Sequence, residues 1–116
     1  MKDLFAEVLG IDSVLGGLVV SNEGKVLFSQ FNQAPEGDPA ALDWQDFVTA
    51  LDQSLEADLV FENRRLFARR MATGYVIIVA GLYAPISSIR LCASALAPAV
   101  EKQTQKGGFL KLFRRN

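Results

Sequence analysis

Three features of the 116-residue sequence predict an α/β fold of the α+β kind, a three-layer α-β-α arrangement around a five-stranded, mainly antiparallel sheet. The first is Tyr75 to Leu82, whose inner run Val76-Ile77-Ile78-Val79-Ala80 is apolar at both parities. Successive side chains of a strand point to opposite faces, so both faces of this one need cover, and it belongs mid-sheet with helices on each side. The second is the stripe Trp44, Phe47, Val48, Leu51 and Leu55, which recurs at the period of a helix. The third is the set of short turn sequences between consecutive apolar runs, which make neighbouring strands antiparallel.

The elements follow in the order α-β-β-α-β-β-β-α. Lys2 to Leu9 reads as a short helix with Leu4, Phe5 and Val8 on one face, stopped by Gly10. Leu15 to Val20 and Lys25 to Phe31 read as strands of a hairpin turned by Ser21-Asn22-Glu23-Gly24. Gly16 and Gly17 are expected to let a helix pack close to the sheet. Asn32 to Ala41, with two prolines, a glycine and two acids, is a loop. Leu42 to Leu55 is the second helix, its early acids suiting the positive end of the helix dipole. Ala57 to Phe61, Arg65 to Met71 and Tyr75 to Leu82 are strands joined by Glu62-Asn63-Arg64 and Ala72-Thr73-Gly74. Ser87 or Ser88 is expected to cap a third helix lined by Ile89, Cys92, Ala93, Leu96, Ala99 and Val100, with Pro98 kinking or loosening it. Gly107-Gly108 then separates one domain, residues 1–106, from a basic and apolar tail, residues 107–116.

Half the residues are hydrophobic, which supports a real core. No secretion signal and no run of about 20 apolar residues is present, and the lone Cys92 leaves no internal disulfide, so a cytoplasmic protein is expected. Residues 1–101 carry seven basic and thirteen acidic side chains, whereas residues 102–116 carry five basic ones and no acid. An acidic body does not suit a phosphate backbone, so nucleic acid is not an expected partner.

Enzyme chemistry is poorly supplied. The chain has no histidine, which removes histidine-based triads and the usual zinc sites. Cys92, on the apolar face of a helix, reads as a small core residue. The stretch Gly16 to Lys25 has the wrong spacing for a phosphate loop, Val26 stands where a Ser or Thr is needed, and Gly24 joins two strands. The acid pairs Asp43/Asp46 and Asp52/Glu56 fall on or just beyond the polar side of the second helix, where solvated carboxylates are the norm. No catalytic residue, cofactor or metal is therefore expected, and no convergent polar pocket marks a small-molecule sensor.

What remains points to protein contact. Arg64, Arg65, Arg69 and Arg70 cluster on one hairpin, and Arg69 and Arg70 must face opposite ways. Arg64, Arg65 and Arg69 are candidate docking residues for an acidic partner. Asp58-Leu59-Val60-Phe61 is short and, at a sheet edge, would offer unpaired backbone groups to a second copy. Trp44 and Phe47 are next door and could anchor such a seam. The tail residues Phe109, Leu110, Lys111, Leu112, Phe113, Arg114 and Arg115 alternate bulky apolar and basic groups, fit for an acidic groove or, weakly, an anionic membrane surface.

Val14-Leu15-Gly16-Gly17-Leu18-Val19-Val20-Ser21-Asn22-Glu23-Gly24-Lys25-Val26-Leu27 resembles the first hairpin of the Roadblock/LC7 family. Arg65 to Val79 resembles the family's later strands, and with the element order the resemblance covers about residues 2–103. It implies a homodimer or heterodimer in which the third strand pairs with its mate across a two-fold axis and the second helix packs beside its mate. Trp44, Phe47, Val48, Leu51, Asp58, Leu59, Val60 and Phe61 would then line the seam. It also implies a non-catalytic regulator or adaptor of a Ras-like small GTPase in polarity, motility or trafficking. The alternative is a structural adaptor whose tail brings a complex to a membrane or an acidic partner.

Overall fold

In the computed structural model, which describes residues 2–32 and 43–105, the chain enters through a 3-10 turn, Lys2–Phe5, and α1, Ala6–Leu9. It continues through β1 (Val14–Ser21), β2 (Val26–Phe31), α2 (Trp44–Leu51), β3 (Glu56–Val60), β4 (Arg65–Met71), β5 (Gly74–Ala80) and α3 (Ile86–Gln105). The five strands form one sheet in the order β2-β1-β5-β4-β3, antiparallel at every pairing. All seven residues of β5 are buried, as its double-sided apolar run requires.

Alternation along β5 divides the core in two. Val76, Ile78 and Ala80 join Val19, Phe67 and Met71 under the 3-10 turn, α1 and α3, whose Phe5, Val8, Ile89, Ala93, Leu96 and Val100 close that layer. Tyr75, Ile77 and Val79 join Leu18, Val20 and Ala68 under α2, which contributes Trp44, Val48 and Leu51. Gly17 is needed for the first layer: a Cβ there would run into the Phe5 ring. Gly16 serves a different purpose from the one expected, because its missing side chain makes room for the Phe31 ring of the neighbouring strand.

Several boundaries differ from the sequence expectation. The second helix ends at Leu51 instead of Leu55, because Asp52 and Gln53 both take left-handed backbone angles, φ 48° and 59°, that a helix cannot continue. Its first turn is capped by Asp43, whose Oδ1 accepts from the N–H groups of Gln45 and Asp46 at 3.1 and 3.4 Å. Glu56, read as just beyond that helix, opens β3. The last strand stops at Ala80, and α3 begins at Ile86, so Ser87 and Ser88 lie within its first turn instead of capping it. Pro98 does not interrupt α3. Its ring is on the exposed side, while Ala93, Leu96, Ala97 and Val100 are buried before and after it, so packing holds the helix across the missing N–H.

Candidate protein interface

At the open end of the sheet lies β3, a five-residue strand with β4 on one side only. The Phe61 N–H donates to the Arg64 carbonyl at 2.8 Å and the Arg70 N–H to the Leu55 carbonyl at 2.9 Å. Hydrogen-bonded pairs alternate along an antiparallel ladder, so Leu55, Ala57, Leu59 and Phe61 direct their backbone groups at β4. Glu56, Asp58 and Val60 therefore direct theirs out of the sheet. The strand carries neither of the common guards of an edge, an outward lysine or a proline.

The side chains sort by the same alternation. Leu55, Ala57, Leu59 and Phe61 form an apolar row on the α2 face. Ala57 and Leu59 pack against the core beneath α2, while Leu55 and Phe61 remain 55% and 50% exposed. On the other face stand Glu56, Asp58 and Val60, the last 62% exposed. Both acids are held within the chain. Arg65 grips Asp58 with Nε to Oδ1 at 3.1 Å and Nη2 to Oδ2 at 2.8 Å, and its Nη1 donates to the Leu82 carbonyl at 3.2 Å. Arg69 reaches Glu56 Oε2 at 3.1 Å, and Arg90 of α3 reaches Oε1 at 3.0 Å while lying over the Phe67 ring. Among the described residues the edge thus presents unpaired backbone, an apolar row and two carboxylates held in ion pairs.

Searches with protein-family models and against curated proteins give no match. Solved structures do match. The MglB structure described as having a tetrameric arrangement superposes with a TM-score of 0.78 at 15% identity, over 90% of this chain and 88% of that one. The gliding protein MglB from Thermus thermophilus gives 0.76 at 15%, over 91% and 89%. A Roadblock/LC7 domain from Streptomyces avermitilis gives 0.65 at 13%, over 90% and 94%. The chain has the Roadblock/LC7 fold. MglC from Myxococcus xanthus, at a TM-score of 0.61 and 13% identity over 89% and 94%, shares it.

On this Roadblock/LC7 scaffold the residues singled out from the sequence fall into distinct places. Trp44, Val48 and Leu51 are buried between α2 and the sheet. Phe47 is half-buried and meets the Trp44 ring edge-on, centroids 5.3 Å apart. The outward side of α2 carries Gln45, Asp46, Thr49 and Ala50. Arg64 is exposed at the β3–β4 turn, whereas Arg65 and Arg69 are committed to the ion pairs above. Arg70, on the opposite face from Arg69, donates to the Gln53 carbonyl at 2.7 Å. Phe109 to Arg115 lie outside the described residues. The feature sequence reasoning missed is the row at 55, 57, 59 and 61, whose period-two spacing was hidden because Leu55 also fits the helical stripe.

Little here supports chemistry. Among the described residues no group of three or more His, Cys, Asp and Glu could hold a metal ion. No helix of the described residues is long and apolar enough to cross a membrane. An open hollow of about 720 Å³ lies past the end of α2, lined in part by Thr49, Asp52, Leu55, Arg70, Tyr75 and Glu101. Of its charged groups, Arg70 is engaged with the Gln53 carbonyl and Glu101 with the Ala72 N–H at 3.1 Å. Cys92 is half-buried, and burial together with the Glu7 carboxylate pushes its thiol pKa up, which works against thiolate chemistry.

Proposed function

We propose that this protein is a non-catalytic regulator or adaptor that pairs with a second copy of itself through β3 and, as a pair, binds a Ras-like small GTPase. The observation that carries the reading is the unguarded β3 edge beside the apolar row Leu55, Ala57, Leu59 and Phe61. Strand addition would satisfy the outward backbone groups of Glu56, Asp58 and Val60 and cover apolar surface in one step. In an antiparallel two-fold pairing both copies carry α2 on the same face, so Phe47 and the outward side of α2 would flank the seam. Trp44, Val48 and Leu51 would support that helix from beneath.

The GTPase part rests on likeness to the fold. Roadblock/LC7 proteins of prokaryotes often serve Ras-like GTPases, and one structural neighbour is described as a gliding protein. Acidic residues on and around α2, namely Asp43, Asp46 and Asp52, suit a partner with a basic patch. The test has two parts. The molar mass of the purified chain in solution is expected at twice 12.7 kDa; a monomer at high micromolar concentration would end the self-pairing reading. A purified Ras-like GTPase encoded by the same genome should be retained by the immobilised chain, and no retention in either the GDP or the GTP state would end the regulator reading.

A further inference from the structure

Resting on the self-pairing reading, we infer that the two-fold axis of the pair passes through Asp58 and that Arg65 is the residue that allows it to do so. A strand pairing with its own copy can do so only in a few registers, and β3 presents outward backbone groups at Glu56, Asp58 and Val60. Centring the axis on Asp58 sets Asp58 opposite Asp58 of the partner subunit and Glu56 opposite Val60 of the partner subunit. All three outward residues then make hydrogen-bonded pairs. On the other face the apolar row closes on itself, Leu55 opposite the partner's Phe61 and Ala57 opposite the partner's Leu59. An axis at Ala57 would leave Phe61 opposite the partner's Gln53 and place Glu56 against the partner's Asp58. An axis at Leu59 would set Leu55 against the partner's Asn63 and Glu56 against the partner's Glu62.

The register on Asp58 has one cost, two carboxylates directly opposed with Cα atoms about 5.5 Å apart. Like charges at that position destabilise a strand pair. Arg65 offsets this within each chain: its guanidinium makes two hydrogen bonds to Asp58 and is itself steadied by the Leu82 carbonyl. Two neutral ion pairs, not two bare acids, would then meet at the axis. Glu56 has its own cations, Arg69 and Arg90, and meets only Val60 across the seam. The arrangement makes Arg65 a positioning residue for assembly and not a contact for an acidic partner.

The experiment compares dimer dissociation constants of the full chain, Arg65→Gln, Asp58→Asn and the double variant by sedimentation. Arg65→Gln is expected to weaken the pair roughly tenfold or more at pH 7, since uncompensated like charges at an interface are costly. Adding Asp58→Asn should restore it to within about threefold of the parent, because the opposed charges are then gone. If Arg65→Gln dimerises like the parent, or if Asp58→Asn fails to rescue it while circular dichroism shows both folded, the inference is overturned. A second measurement is independent of charge. In a Cys92→Ser background, Asp58→Cys should form a symmetric disulfide under mild oxidation, the paired Cα spacing lying within disulfide range. Crosslinking that instead favours Ala57→Cys or Leu59→Cys sinks the register while leaving self-pairing intact; a monomeric Cys92→Ser parent sinks self-pairing itself.

Discussion

Strands β5 and β3 belong to the same sheet and have similar length, yet they do different work. β5 is paired on both edges and covered on both faces, and none of its residues reaches solvent. β3 is paired on one edge, and on the α2 face its flanking Leu55 and Phe61 stay half exposed. Hydrophobic burial in β5 goes into the fold of the single chain. The comparable apolar groups along β3 are left over, and leftover apolar surface beside bare backbone is what a partner strand can use. Stability is carried by β5, and the association proposed above would be carried by β3, so the two can be perturbed separately.

The largest separation should come from truncating the centre. Ile77→Ala removes a fully buried side chain under α2, and about 2–5 kcal/mol of unfolding free energy should be lost, read from urea denaturation. A next, selective effect comes from Val60→Pro. The Val60 N–H points away from β4, so proline there should cost the fold only about 1 kcal/mol or less while abolishing self-association, read from molar mass at matched concentration. If the mass is unchanged, β3 is not the seam. Arg90→Ala should cost less than about 1 kcal/mol, since its half-exposed ion pair with Glu56 is screened by solvent. That loss should shrink further in molar salt, measured by the same denaturation. The smallest effect belongs to Cys92. Its raised thiol pKa, caused by burial and then by Glu7, leaves less thiolate at pH 8, so alkylation by iodoacetamide should run slower than for a free thiol. Glu7→Gln should speed it modestly by removing the nearby negative charge.

The layered fold was legible because its strongest signal needs no knowledge of contacts. A short apolar run at both parities between turn sequences fits a strand covered on both faces, and the predicted Tyr75 to Leu82 is realised as Gly74–Ala80. Boundaries were harder where one residue satisfied two periods. Leu55 lies four residues beyond Leu51 and also two before Ala57, and only the left-handed angles of Asp52 and Gln53 decide between helix and strand. Pro98 was misleading for the opposite reason: a local rule predicted disruption, and buried neighbours on both sides override it. The arginines were visible as a cluster, but their roles depend on register. Arg69 stands opposite Glu56 and Arg65 opposite Val60, one step diagonal from Asp58, and no spacing in the sequence reveals that.

At the far edge of the sheet, Gly24 has a positive φ of 86°, and a Cβ there would strike the backbone of Gln45 in the first turn of α2. The first hairpin and the short helix consequently touch main chain to main chain, with no flexible side chain as a cushion. α2 acts as a strut: braced by the hairpin at one end, it lies over the middle strands toward β3. Gly24→Ala, remote from β3, is therefore a mutation that loosens the brace, through both the clash with Gln45 and the left-handed angle it would have to adopt.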